Sequence, residues 1–267
     1  MSAMHNFTYH RPNDLDAAVA LLREADEAKL LAGGMTLLPT MKQRLAAPSD
    51  LIDLSAIAAL KGITVENNEV VIGAMTCHAD VAASPEVAKA IPALAVLARG
   101  IGDPAVRHCG TIGGSVANAD PAADYPAGLL ALDATVETSK RRIAADDFFT
   151  GLFETALEPA EIITAIRLRV PDRARYLKFP HPASGYAVVG VFVAQFGASV
   201  RVAVTGAGPN AFRVPEMEQA LAKSFTPEAI ASIKIAPDRL MGDIHCSAEY
   251  RAHVISVLAR RAIAGQG

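Results

Sequence analysis

Two short runs in this sequence carry residue types and spacings suited to holding an anion. Residues 31–36 read Leu-Ala-Gly-Gly-Met-Thr, and residues 110–115 read Gly-Thr-Ile-Gly-Gly-Ser. Glycine lacks a Cβ, so it takes positive φ and lets a ligand approach its N–H. Successive backbone N–H groups make a concave nest for an anion, and a helix starting directly afterwards adds partial positive charge. Thr36 in the first run, and Thr111 with Ser115 in the second, add hydroxyls for a phosphate oxygen. Two such nests from distant parts of one chain suit a ligand with two phosphates, so a dinucleotide is the natural candidate. Neither run matches G-x-G-x-x-G or G-x-x-x-x-G-K-[ST], so a Rossmann fingerprint and a P-loop are both absent. A Gly-Gly pair alone is more often a plain turn. The residues by themselves give an α/β chain with a candidate dinucleotide site.

The elements that must position these runs follow from periodicity. Residues 14–25 have apolar spacing near 3.6 behind Asp14, which predicts a helix. A short strand over 28–32 ends at the glycine pair, and a helix capped by Thr36, with Pro39 in its first turn, follows. Residues 69–84 read as strand, turn and a helix capped by Thr76. Helices are predicted over 92–101 and 122–134, and strands over 135–139 and 160–170. Near 171–175 the texture changes. Three β-like segments follow, including the apolar run Tyr186–Phe196, and then two or three helices. A meander followed by helices predicts an α+β C-terminal domain.

The chain has 267 residues, enough for one large domain or two modest ones. Its formal net charge of −3 and lack of basic clusters give no reason to expect nucleic acid or an anionic membrane as partner. No apolar run approaches the roughly 18 residues of a membrane span. Cys77, Cys109 and Cys246 are far apart and form no C-x-x-C, which argues against a metal or iron–sulfur site in this chain. An odd thiol count and no signal peptide fit a reducing cytosol, hence a cytoplasmic location.

The stretches AGGMTLLPTMKQRLAAPSDLIDLS and GDPAVRHCGTIGGSVANADPAADYPAGLLALDA, in this order, resemble the FAD-binding medium subunits of molybdenum hydroxylases. This is the carbon monoxide dehydrogenase and xanthine dehydrogenase flavoprotein family. The resemblance extends through EIITAIRL and YLKFPHPASGYAVVGV to the terminal helices. It implies an α+β chain with a vanillyl-alcohol-oxidase-type FAD fold of two α/β subdomains, residues 1–55 and 56–172. A C-terminal flavoprotein domain, residues 173–267, would carry a three-stranded antiparallel sheet and helices. It implies FAD as cofactor. Ala32, Gly33, Gly34, Met35 and Thr36 match the first diphosphate loop, and Thr111, Gly113, Gly114 and Ser115 the second, which Ala117 and Asn118 continue. Asp124 matches an acidic contact to the flavin nucleotide. Ile101, Gly102, Val106 and Ile163 match positions beside the ring, Lys178 a lysine near the flavin, and Tyr186 a nearby aromatic.

Three departures stand out. Met35 replaces a polar residue, Ser115 replaces the more usual Asn, and no arginine occurs at 181–182. The remaining residues read as structural. His78 is taken as a helix-start residue, His108 and Cys109 as loop packing, and Arg107 with Glu161 as a structural pair. The implied function is electron transfer. Electrons from [2Fe–2S] clusters of a small partner subunit reach FAD here, after hydroxylation at a large molybdenum-cofactor subunit, in a dimer of heterotrimers. No side chain of this chain then serves as acid, base or nucleophile. The alternative is a stand-alone flavin-dependent oxidoreductase of the same fold.

Overall fold

The structure, a computed structural model, describes residues 4–265. The first lobe comprises strand β1 (Thr8–His10), helix α1 (Leu15–Glu24), strand β2 (Ala28–Leu31), helix α2 (Leu37–Lys42) and strand β3 (Asp50–Asp53). Its three strands form a parallel sheet in the order β1-β3-β2. Asp14 caps α1 by accepting the Ala17 N–H at 2.8 Å, which satisfies one of the amides a helix start leaves unpaired. Ala18 on α1 packs with Ile52 and Leu54 in a small core. Parallel strands end on one side of a sheet, where open α/β folds bind ligands. The segment 32–36 leaves β2 at that end. Thr36, expected to cap α2, does not: its φ and ψ are −103° and −49°, and its side chain makes no capping bond. Its carbonyl instead accepts from Thr40, and α2 runs for only 6 residues.

The second lobe is built on an antiparallel sheet. Strands β4 (Ile63–Glu66) and β5 (Glu69–Gly73) form a hairpin turned by Asn67 and Asn68, both at positive φ (50° and 63°), as the favoured two-residue hairpin turn requires. Six helices follow: α3 (His78–Ala83), α4 (Pro85–Ala90), α5 (Pro92–Arg99), α6 (Pro104–Cys109), α7 (Ile112–Asn118) and α8 (Asp124–Ala131). The chain returns through β6 (Thr135–Thr138), β7 (Arg142–Ala144), the short helix α9 (Ala145–Phe148) and a small hairpin of β8 (Phe149–Gly151) and β9 (Glu154–Thr155). Strand β10 (Ile163–Arg169) closes the sheet, order β4-β5-β10-β6-β7. Thr76 does not cap α3. Its hydroxyl bonds both the N–H and the carbonyl of Gly62 at 3.1 Å, tying the end of β5 to the start of β4, and Cys77 takes the cap position.

The third lobe is a meander of β11 (Arg173–Pro180), β12 (Ala187–Phe196), β13 (Ser199–Thr205) and β14 (Phe212–Arg213), with helices α10 (Pro215–Lys223) and α11 (Ala248–Ala264) on one face. The sheet has four strands rather than the three expected; β14 is 2 residues long and carries no periodic signal. TPEAIASI, read as a helix, forms only a 3-10 turn over Pro227–Ile230. Strand β12 is apolar except at Gln195 because both its faces are covered. Val189, Val191 and Val193 meet α10 and α11, whereas Phe192, Ala194 and Phe196 join the core of the second lobe. Among the described residues no helix is long and apolar enough to cross a membrane.

Candidate cofactor-binding cleft

A cleft of about 600 Å³ runs between the first two lobes and under the loop at Gly185–Tyr186 of the third, within the usual range for small-molecule and cofactor sites. Every position predicted to contact the cofactor lines it, except Lys178.

The two glycine runs meet there. A Cβ added to Gly33 would lie 2.1 Å from the Cys109 carbonyl oxygen and 2.6 Å from Gly110 Cα. One added to Gly114 would lie 3.3 Å from the Ala32 Cβ. The absence of side chains lets the loops close on each other, and Gly34 adds a left-handed φ of 72° that turns the chain into α2. The loops differ in what they offer. The N–H groups of Gly33, Gly34, Met35 and Thr36 donate to no group among the described residues. In the second loop the amides are occupied. Ile112 donates to the Thr76 carbonyl (3.1 Å), Gly113 to Ala74 (2.8 Å), and Ser115 to Thr111 (3.0 Å), while Gly114 donates to the Thr111 hydroxyl (3.1 Å). The expectation of two amide nests is therefore corrected: the amide run belongs to the first loop. The second borders the cleft at Thr111, Ser115 and Asn118. Gly113 is buried because the chain passes Ala74 there, where a Cβ would sit 2.7 Å from its carbonyl oxygen.

On the ring side of the expected site, Lys178 sits behind the wall. Its ammonium donates to the carbonyls of Gly100 (2.7 Å) and Gly185 (3.0 Å) and pairs with Asp124 at 3.0 Å. These carbonyls precede Ile101–Gly102 and Tyr186, so one cation ties together the two loops that line the cleft there. Asp124 is 4% exposed and also accepts from the Tyr176 hydroxyl. Burial pushes its carboxyl above the ordinary range, opposed by the Lys178 charge and the Tyr176 bond. Burial and the Asp124 charge drive the Tyr176 hydroxyl well up. Gly190 leaves room for that hydroxyl, which would lie 2.5 Å from an added Cβ. Arg107 does not pair with Glu161. It donates to the carbonyls of Ile101 (2.8 Å) and Gly102 (2.9 Å), bracing the same loop. Glu161 pairs with Arg141 at 3.1 Å. Burial works against its charge, yet bonds from Arg141, the Glu158 N–H and Thr138 hold its carboxyl down at about 2.

Of the further residues that line the cleft, two stand out. Asp120 follows Ala119, which has an unusual left-handed φ of 46°. One Asp120 oxygen accepts the Ala122 N–H at 2.8 Å, and burial raises its carboxyl. The Ala-Asp-Pro-Ala-Ala-Asp run offers two acids that both border the cleft, and only the fold shows Asp124 paired with Lys178 while Asp120 accepts a backbone N–H. His78 is the second, and its helix-start position masks its place in the wall.

A parallel βαβ lobe that turns a run of unpartnered amides toward a dinucleotide-sized cleft defines a nucleotide-cofactor protein. Residues 5–171 match the family described as the FAD binding domain in molybdopterin dehydrogenase. The chain belongs to this family, the FAD-binding medium subunits of molybdenum-hydroxylase-type dehydrogenases, and so to the oxidoreductases. It is 38% identical to the carbon monoxide dehydrogenase medium chain of Hydrogenophaga pseudoflava, over 96% of each chain. It is 37% identical to the nicotine 6-hydroxylase medium subunit of Paenarthrobacter nicotinovorans, over 97% of this chain and 96% of that one. Among solved structures, reconstituted CO dehydrogenase from Oligotropha carboxidovorans superposes with a TM-score of 0.90 at 34% identity, covering 98% of each chain.

Proposed function

We propose that this chain is the electron-transfer subunit of a molybdenum-containing hydroxylase or dehydrogenase, taking electrons from [2Fe–2S] clusters of a small partner subunit to an external acceptor. FAD bound in the cleft supplies the redox chemistry, accepting electrons and giving them up. The chain's residues hold and orient it. The amides of Gly33 to Thr36 meet the diphosphate, with the hydroxyls of Thr111 and Ser115 opposite. Ile101, Val106 and Ile163 offer apolar contact to the ring, and Tyr186 covers it. No side chain acts as acid, base or nucleophile. The observation that carries this reading is the unpartnered amide run facing hydroxyl side chains across one cleft. Unsatisfied backbone donors are costly unless a ligand or water takes them up.

The relatives are named for carbon monoxide, nicotine and glyceraldehyde, yet each is at least 32% identical to this chain. Such unlike substrates on one medium-chain scaffold support a substrate site in another subunit. The partners are then a large molybdenum-cofactor subunit and the small [2Fe–2S] subunit, as a dimer of heterotrimers in the cytoplasm. The first two sheets correspond to the halves of a vanillyl-alcohol-oxidase-type FAD fold, residues 1–55 and 56–172, with 173–267 as the C-terminal flavoprotein domain. Purification from the native host tests this. Flavin absorbance between roughly 350 and 500 nm should co-elute with molybdenum, iron and two further chains, because the absorbing chemistry is the cofactor's. A colourless chain eluting alone and metal-free would overturn it.

A further inference from the structure

Cofactor retention as described leaves one cleft side chain unused. His78 lines the cleft beside Ala74, Gly110 and Thr111, yet is only 5% exposed. Its N–H donates to the Gly110 carbonyl at 2.9 Å, and its imidazole lies flush against that glycine, where an added Cβ would meet Nε2 at 2.7 Å. Gly33 presses on the other side of Gly110, 2.6 Å from its Cα when given a Cβ. One glycine therefore separates the imidazole from the start of the free amide run. Neither ring nitrogen has a hydrogen-bond partner among the described residues. Nδ1 is sealed from solvent, Nε2 is not, and the residue borders the cleft.

A buried polar atom without a partner costs about 1–3 kcal/mol; on this ring that atom is Nδ1, while Nε2 keeps a free bonding position. Burial and, secondarily, the Arg107 guanidinium hold it down at about 4. It is neutral at pH 7 and carries a single N–H. Tyr125 decides which nitrogen carries it. The Tyr125 hydroxyl is also buried and unpartnered, and the two rings lie 5.4 Å apart. A hydroxyl can donate and a bare Nδ1 can accept, so pairing them, by a small ring rotation or through one water, leaves the proton on Nε2.

We infer that His78 is a binding residue for the diphosphate of the cofactor, donating its Nε2–H to a phosphoryl oxygen beneath the second loop. The inference rests on the cleft being the FAD site. The test uses the full chain stripped of flavin and titrated with FAD, with ADP, which carries adenosine and the diphosphate but no flavin, and with riboflavin, which carries no phosphate. His78→Phe keeps the ring volume without a donor, and His78→Gln keeps a side-chain N–H. His78→Phe should weaken FAD and ADP about tenfold or more, as expected for a hydrogen bond to a charged acceptor, and leave riboflavin unchanged. His78→Gln should stay within about threefold of wild type. Equal weakening of riboflavin, or unaltered FAD and ADP affinity in His78→Phe, overturns the inference. Should His78→Phe not fold, 15N-histidine NMR of the wild type decides. The His78 Nε2 signal should be the protonated one and should shift on adding ADP; an unmoved signal overturns the role. A wild-type chain that binds ADP but not FAD overturns the flavin assignment and leaves the diphosphate role standing. One that binds neither overturns both.

Discussion

On the proposed reading, Lys178 serves the flavin without touching it. Its charge is spent on Asp124, and its remaining donors hold Gly100 and Gly185, the residues before Ile101 and Tyr186. Lys178→Met should therefore act on affinity first. Both loops lose their shared anchor and Asp124 is left buried without its cation, a change that typically costs about 3–5 kcal/mol of stability. FAD affinity should fall about tenfold or more, while the potential of flavin that still binds shifts little, because the charge is already neutralised inside the wall. Calorimetric titration and spectroelectrochemistry check the two halves, and a large potential shift at unchanged affinity would refute the clasp. The resemblance names Lys178, Asp124 and Tyr186, which the structure brings into one neighbourhood. It did not separate the residue that lines the cleft from the one that braces it, because spacing along a strand says nothing about which way an ammonium is drawn. Asp120 and His78 escaped for the converse reason: each sits beside a stronger local reading, the acidic repeat in one case and a helix start in the other.

At the scale of elements, glycine runs were legible and their uses were not. Gly33 and Gly113 look alike in sequence, but one lies in an open amide run and the other is wedged against Ala74. Gly113→Ala should accordingly destabilise the chain with no FAD present, by about 1–3 kcal/mol as overpacking usually does. Thr111→Ala should remove the cap of α7 at a cost of about 1 kcal/mol. Denaturant melts of the flavin-free protein measure both, and a Gly113→Ala variant that is wild-type when empty but cannot bind FAD would restore the nest reading for the second loop. Strand β12 and helix α1 were read at nearly their true bounds because burial on both faces leaves an apolar run and burial of one helix face leaves a 3.6-residue spacing. Strand β14 and the failed cap at Thr76 depend on partners outside their own segment, which sequence conceals. Glu161 is another such case, since its partner Arg141 lies across the sheet edge. Its folded pKa lies below its ordinary 4.5, so the stability it contributes is complete above that pH and is lost as pH falls through about 2. Glu161→Gln should flatten the acid limb of the stability curve between those values. Urea midpoints that fall with pH as steeply as wild type would exclude it.

Considered as a whole molecule, the three lobes are unequally furnished. The second and third share continuous packing of Phe192, Ala194 and Tyr176 of the third sheet against helices α5 and α8. The first lobe has only the small cluster around Ala18, Ile52 and Leu54, and it borrows Leu60, Met75 and Ile162 from beyond residue 55. A segment of this size buries too little surface to be stable by itself. The cleft lies along the seam, so a ligand there joins the weak lobe to the strong ones. Binding to the native state alone stabilises by RT ln(1 + [L]/Kd), about 2.7 kcal/mol at a hundredfold excess over Kd. That gain should fall mainly on the first lobe, because the second and third retain their contacts without FAD. Amide exchange at Leu30, Leu51 and Ile52 should therefore slow about a hundredfold on adding FAD at that excess, while exchange at Val191, Phe192 and Val202 changes little. Equal protection of β1–β3 with and without FAD would mean that the first lobe holds its fold unaided and that the cofactor is a guest of the seam, with no part in fastening it.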